Sequence, residues 1–296
     1  MRPVPRRPLS PRRVPGLRRV PGPRRIASPR RIVIELVLAA LTLVVVIPFY
    51  MIIVNSLKSP RDASLFGLGL PSTLQVSNYT EVLGAGGILT GYVNSIVIAA
   101  FSLALVCACA ALAAFSIQRN STRLTNGIYY LFVVGLVIPV AIVPTIKLMM
   151  SLHVHNTYAG MILFYTGVLL PFAVFLLTGY LKTLPRELDE SAGLDGCPPL
   201  RIFGAIILPL MQPALVTACL LTIMTIWNDF LGPFYLLSDS AKWTVTVTVF
   251  AYIGKFNTNW GSVFADITIV ILPILVLYFL LQRYIVEGMT AGALKG

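Results

Sequence analysis

Charge is what this sequence has least of. Only 11% of its 296 residues are Asp, Glu, Lys or Arg, while 57% are hydrophobic. A soluble domain carries roughly 25% charged residues, because its surface has to stay hydrated. The deficit excludes an ordinary water-soluble fold and points to a lipid bilayer as the solvent. Acid is absent altogether before Glu35, whereas eleven of the 23 basic residues are arginines within residues 1–31. The net charge of +12 therefore belongs to an amino-terminal arm. Without it the chain holds 12 basic and 11 acidic residues, which excludes a basic body built for nucleic acid.

Other absences narrow the class further. No G-x-x-x-x-G-K-[ST] run occurs, so no loop here is built to cradle ATP phosphates. The four cysteines lack a Cys-x-x-Cys pair and read as small buried hydrophobes. His153 and His155 stand without further ligands and read as loop residues, not a metal site. No apolar segment carries a nucleophile–base or metal-ligand constellation, which argues against an intramembrane enzyme. The first apolar stretch is long and no small-residue cleavage site follows it, so it is expected to stay as an anchor. The arm, residues 1–31, holds eight prolines among its arginines. It reads as disordered, because proline removes helical donors and the arginines repel one another.

What is present is a series of apolar runs. About 20 such residues cross a hydrocarbon layer about 30 Å thick. Six segments qualify: about Ile32–Val54, Tyr92–Ile117, Ile128–Met149, Thr157–Tyr180, Met211–Phe234 and Gly261–Tyr284. The expected fold is an all-α membrane protein, six transmembrane helices over residues 32–296, with a cytoplasmic loop between spans 4 and 5. With the amino terminus inside, 18 basic residues lie in cytoplasmic segments and five outside. That asymmetry places both termini in the cytoplasm. Pro139, Pro144, Pro171 and Pro273 predict kinks within spans. Asp266 falls near the outer end of the last span and is read as an interfacial carboxylate in preference to a proton relay.

The loop from about Leu181 to Leu210 reads LKTLPRELDESAGLDGCPPLRIFGAIILPL. Acids cluster at its start, and Gly196 precedes the paired Pro198 and Pro199. A short helix beginning near Pro185 and a turn at Gly196 follow from this pattern. A second helix, opened by proline in its first turn, would carry Leu200, Ile202, Phe203 and Ile206 under the bundle.

That loop resembles the signature of binding-protein-dependent ABC importer permeases: E-A-A, three residues, G, nine residues, I, one residue, L-P. Glu190, Ser191 and Ala192 are followed at the right spacing by Gly196, Ile206, Leu208 and Pro209. Ser191 replaces one small motif residue with another. The blocks NSLKSP, SNYTEVL, YVNSIVIA, LAAFSIQR, NTYAGMIL, LLPFAVFLLTGYLKTLP, IWNDFLGPFYLL and QRYIVEGMTAGALKG resemble carbohydrate-importer permeases in family order, nearest to the maltose-type six-span subunit. The resemblance implies that Glu190, Ser191, Ala192, Asp195, Gly196, Ile206, Leu208 and Pro209 form a coupling helix and its support, docked on an ATPase. It implies a second permease subunit, two ATPase subunits that hold ATP and Mg, an extracytoplasmic solute-binding protein and a sugar substrate. This chain would bind no cofactor itself and would not be an enzyme.

The outside loop around FAYIGKFNTNW mixes aromatic and amide residues that suit sugar faces and hydroxyls. By position it is similar to the maltose-type loop that helps evict sugar from the binding protein, which assigns Gly254, Lys255, Phe256, Asn257, Thr258 and Asn259 to release. The glycine-bearing tail Glu287–Gly296 is implied to contact the ATPase. The rival class is an ion-coupled secondary transporter or channel, which needs a buried carboxylate site near mid-membrane.

Overall fold

The computed structural model describes residues 29–84, 87–120, 122–253 and 258–293, with side chains from residue 33 to about 279. The arm before Pro29, the residues Gly254, Lys255, Phe256 and Asn257, and the last three residues lie outside that range. Among the described residues the regular structure is helical, with one isolated bridge between Ile253 and Thr258.

In chain order the helices are α1 (Pro29–Ser56), α2 (Pro60–Ala63), α3 (Ser77–Gly84), α4 (Gly87–Arg119), α5 (Arg123–Val137), α6 (Ile142–Ser151) and α7 (Tyr158–Leu181). Beyond them lie α8 (Glu187–Leu194), α9 (Pro199–Ile202), a π-helical turn (Phe203–Ile207), α10 (Leu208–Leu210), α11 (Gln212–Asn228), α12 (Leu231–Leu236) and α13 (Trp260–Ala293). The chain divides into two units, residues 1–48 and 49–296, and the second contains every helix from α2 onward.

Three described helices are each long and apolar enough to cross a membrane: Val33–Ser56 within α1, α4 and α7. They match the first, second and fourth expected spans. The third expected span is divided. Its chain leaves helical geometry at Ile138 and resumes at Ile142, and Pro139, which has no N–H to give, sits in the gap. Pro171 and Pro273, by contrast, lie inside unbroken helices. The fifth span starts from a bend of 76° between Pro199–Leu210 and Gln212–Asn228. The last lies within α13, whose described apolar stretch is Trp260–Val276.

The centre of the second unit is the α4–α7 pair, and the two helices run parallel. Asn94, early in α4, meets Tyr158 at the start of α7, and the residues near their ends, Ile117 and Leu181, share one buried cluster. Parallel neighbours need a return path, which α5 and α6 supply. Burial explains why these segments are helical. In lipid every backbone N–H and C=O must be satisfied within the segment, and apolar residues on all sides leave any face free to pack. Ala110, Ala111 and Ala114 of α4 are fully or almost fully buried against Val174 and Leu177 of α7 and Ala214 and Ala218 of α11. Small residues there let the helices approach closely. Cys107 and Cys219 meet across α4 and α11 with their Sγ atoms 3.0 Å apart. Neither is fully buried, nor is Cys197, and Cys109 is exposed, so the cysteines are not the buried small hydrophobes expected from sequence.

Candidate docking surface

Helix α8 begins just after Pro185 and presents Glu187, Asp189 and Glu190 in its first turn. Acids are favoured there by the partial positive charge of the helix start. The helix ends where Gly196 takes φ +77°, a conformation that glycine reaches without the steric cost of a Cβ. Pro199 then opens α9 in its first turn. The expected helix–turn–helix is therefore present, with one refinement. The second helix is not regular: a π-helical turn at Phe203–Ile207 separates α9 from α10. The extra residue per turn carries Ile207 to a fully buried position while Leu208 stays half-buried.

The two faces of α8 differ. Ala192 is buried in the cluster that contains Ile117, Leu181, Ile202 and Ile207. Three positions earlier, on the same side, Asp189 forms an ion pair with Arg119, the last residue of α4. Both side chains are largely buried. Burial pushes the Asp189 carboxyl above its ordinary range, and the Arg119 guanidinium pulls it part of the way back. Beside this pair, Arg186 Nη2 donates to the Gln118 carbonyl at 3.0 Å. A cation suits that helix end, whose last carbonyls lack intrahelical donors. Away from the bundle, Glu190, Ser191, Asp195 and Gly196 are exposed. Leu194 is 91% exposed and Leu200 is 78% exposed. Two exposed leucines in the same short segment as Glu190 and Asp195 suit contact with another protein. Of the residues assigned from sequence, Ile206 and Leu208 pack against the cluster beneath, while Pro209 is exposed. Arg119 and Asp189 are functional candidates that sequence reasoning missed. The available signal was an arginine closing one span and an acid-rich helix after another.

At the opposite end of α4 and α7, the segment Leu237–Tyr252 folds back without α-helix, carrying two short 3-10 helices at Ser240–Lys242 and Thr248–Tyr252. Its backbone is held by side chains far away in sequence. Asn94 Nδ2 donates to the carbonyls of Ala241 at 3.0 Å and Trp243 at 2.9 Å, while Asn94 Oδ1 accepts from the Tyr158 hydroxyl at 2.9 Å. The Val245 N–H donates to Ser95 Oγ at 2.9 Å. Irregular backbone is tolerated at a bundle end when protein satisfies it in this way. Asp266 is fully buried here, with Thr248 Oγ1 3.2 Å from Oδ1. The expected interfacial carboxylate is thus enclosed by protein instead. Thr258 and Asn259 remain of the assigned release loop, and Asn259 Nδ2 donates to Glu81 at 3.3 Å. A cavity of about 470 Å³ opens beside Ile88, Thr90, Trp243, Thr248 and Tyr252. The rings of Phe230, Phe234 and Phe250 lie near one another, with centroids 4.9–5.3 Å apart.

Residues 107–291 match the family described as binding-protein-dependent transport system inner membrane component, and the chain belongs to that family. It is 34% identical over 257 residues to the probable starch degradation products transport system permease protein AmyC of Thermoanaerobacterium thermosulfurigenes, covering 86% of this chain and 93% of that one. Against the melibiose/raffinose/stachyose import permease protein MelC of Bacillus subtilis it is 32% identical, covering 84% and 91%. Among solved structures, a chain of a bacterial ABC transporter involved in import of the acidic polysaccharide alginate superposes with a TM-score of 0.76 at 22% identity. That match covers 86% of this chain and 95% of the other, and so the fold is that of an ABC importer permease. The protein is a multi-pass inner-membrane permease of this kind of importer.

Proposed function

We propose that this chain passes a sugar or oligosaccharide into the cytoplasm as one of two permease subunits, using α8 as the coupling helix on an ATPase. The observation that carries the reading is the two-faced α8: Asp189 and Ala192 are committed to the bundle, while Glu190 and Leu194 stand free. A helix of eight residues is too short to hold itself in water. Its outward face has no partner among the described residues and suits the cleft of another protein. Glu190 offers a carboxylate to a cation there, Ser191 allows close approach, Ala192 seats the inner face on the bundle, and Asp195 and Gly196 form the turn. Ile206 and Leu208 support the seat from below, and Pro209 follows them exposed.

The sugar class is supported by the names of the relatives, which concern starch products and raffinose-type saccharides. ATP and Mg belong on two partner ATPase subunits, since no loop in this chain has the phosphate-cradling pattern. The arginine placement supports cytoplasmic termini and puts α8 on the cytoplasmic side. A solute-binding protein would then dock at the opposite end. There Gly254–Asn259 would help to release the sugar.

The test is co-purification from the native host membrane followed by uptake in vesicles. The wild-type chain is expected to bring an ATPase, and Glu190→Lys is expected to lose it while the permease itself stays folded. Uptake that runs on an ion gradient with no ATPase present would refute the proposal.

A further inference from the structure

We infer that the buried Arg119–Asp189 pair is the directional link by which movement of α8 reaches α4, so that this pair sets how much sugar is moved per ATP hydrolysed. The inference rests on the docking role of α8 proposed above and assigns two positioning residues to it.

The buried side of α8 makes two kinds of contact with the rest of the chain. One is apolar: Ala192 lies in the cluster with Ile117 and Ile202, and the rings of Phe115 and Phe203 meet at 5.3 Å nearby. Apolar contact is nearly indifferent to sliding by a fraction of a turn, because the hydrophobic effect has no direction. The other kind is polar and tied to particular partners. Asp189 is paired with Arg119, and Arg186 Nη2 donates to the Gln118 carbonyl at 3.0 Å. Both contacts end on the last two residues of α4. Neither side chain of the ion pair is well exposed, so water cannot readily replace one partner. Any slip of α8 along α4 would leave a buried charge alone, which is far costlier than stretching an exposed ion pair.

The far end of α4 gives the link its reach. This helix is 33 residues long and continuous, about 50 Å at 1.5 Å per residue. Its last residue holds α8, and near its start Asn94 and Ser95 hold the backbone of Ala241, Trp243 and Val245. A displacement of α8 that is not lost at the ion pair therefore arrives at the segment around the opposite-end cavity. Were the pair merely part of the fold, its loss would lower the yield of assembled protein and leave the ratio of transport to hydrolysis alone.

The experiment uses the full importer, co-purified with its ATPase, second permease and binding protein and placed in proteoliposomes. Sugar taken up and phosphate released are measured together. Asp189→Asn and Arg119→Gln keep size while removing charge. Both are expected to retain the ATPase and to hydrolyse ATP within about twofold of wild type. Sugar moved per phosphate should fall about tenfold, inside the range common for coupling between distant sites. Asp189→Glu, which keeps the carboxylate, and the reciprocal swap Arg119→Asp with Asp189→Arg are expected to recover most of the ratio. The inference is overturned if Asp189→Asn keeps the wild-type ratio, or if Asp189→Glu behaves like Asp189→Asn. It is also overturned if the charge-removing variants fail only by losing assembled protein. A wild-type chain that brings no ATPase would instead sink the docking proposal itself, and this inference with it.

Discussion

At the α8 end most of the residues that meet are close in sequence, and many are exposed. At the opposite end the residues that meet are distant in sequence, and many are buried. Glu190, Leu194 and Gly196 lie within one short loop, tied to the bundle by the Arg119–Asp189 pair, the Arg186–Gln118 hydrogen bond and the cluster beneath. Across the molecule, Asn94 reaches residues 147 and 149 positions away, and Ser262 Oγ donates to Glu81 across 181 positions. Even Lys58 is buried there, donating from Nζ to the Gly67 carbonyl at 2.7 Å and to Asn55 at 3.0 Å. The difference separates two tasks. A docking helix has to leave part of itself unsatisfied for a partner, whereas a closed bundle end has to satisfy its own backbone. Substitutions at the opposite end should therefore damage the fold, and substitutions on the outer face of α8 should damage assembly while sparing the fold.

The largest effect on stability is expected from Asn94→Ala. It strips the carbonyls of Ala241 and Trp243 and the Tyr158 hydroxyl of one partner each. Each group left unpaired in a buried setting costs about 1–3 kcal/mol. Thermal unfolding in detergent, followed by tryptophan fluorescence, should show a clear drop in midpoint. An unchanged midpoint would mean that the segment Leu237–Tyr252 is not held by α4, and the contrast between the ends would fail.

Next comes Gly91→Val. A Cβ at this position would stand 2.8 Å from Thr248 Cγ2 and 3.1 Å from the Val245 Cα. Threonine's methyl can turn aside, but the backbone of a segment held at Ser95 and Asn94 cannot easily withdraw. Overpacking of this kind costs about 1–3 kcal/mol. The same assay should show a loss smaller than that for Asn94→Ala, and a rise in stability would show that the contact is loose.

The legibility of the two ends has the same origin. The α8 loop can be read from sequence because its information is local. Acids open a helix, a glycine closes it, prolines open the next, and the spacing from Glu190 to Pro209 is contiguous. Length and apolarity mark α4 and α7 nearly to their ends for a similar reason, since each is one unbroken run. The third span cannot be placed as one helix from apolarity alone. Whether a proline interrupts a helix depends on what receives the freed carbonyls: Pro171 is buried inside an intact α7, while Pro139 lies in a gap. Asp266 escapes a sequence reading for another reason. Its height along α13 is legible, but the fold-back segment that covers it comes from residues 237–252, and nothing near Asp266 in sequence encodes that cover. Arg119 reads from sequence as only one more inside charge, because its partner is 70 positions away in a different element.

A smaller effect is expected at Gly196, where the α8 end does depend on backbone geometry. Gly196→Ala places a Cβ on a residue at φ +77°. No neighbouring atom lies within 4 Å of it, so the cost is that of the left-handed conformation alone, about 1–2 kcal/mol. Because the turn is local, the strain should fray α8 in hydrogen exchange before it lowers the global unfolding midpoint. Uniform loss of protection across α4 and α7 would instead mean that the loop and the bundle unfold as one.

The smallest change in stability, and the sharpest test of the contrast, is Leu194→Ser. At 91% exposure this side chain contributes almost nothing to the fold of its own chain, and removing it should shift stability by less than about 0.5 kcal/mol. Docking should respond differently. A leucine fully buried against a partner contributes about 1.5–3 kcal/mol, and each 1.4 kcal/mol is about tenfold in affinity. Retention of the ATPase during purification should therefore fall steeply while the unfolding midpoint stays put. The opposite pairing, a lowered midpoint with the ATPase retained, would make Leu194 part of the fold. In that case the outer face of α8 would be no more specialised for a partner than the buried segment at the other end.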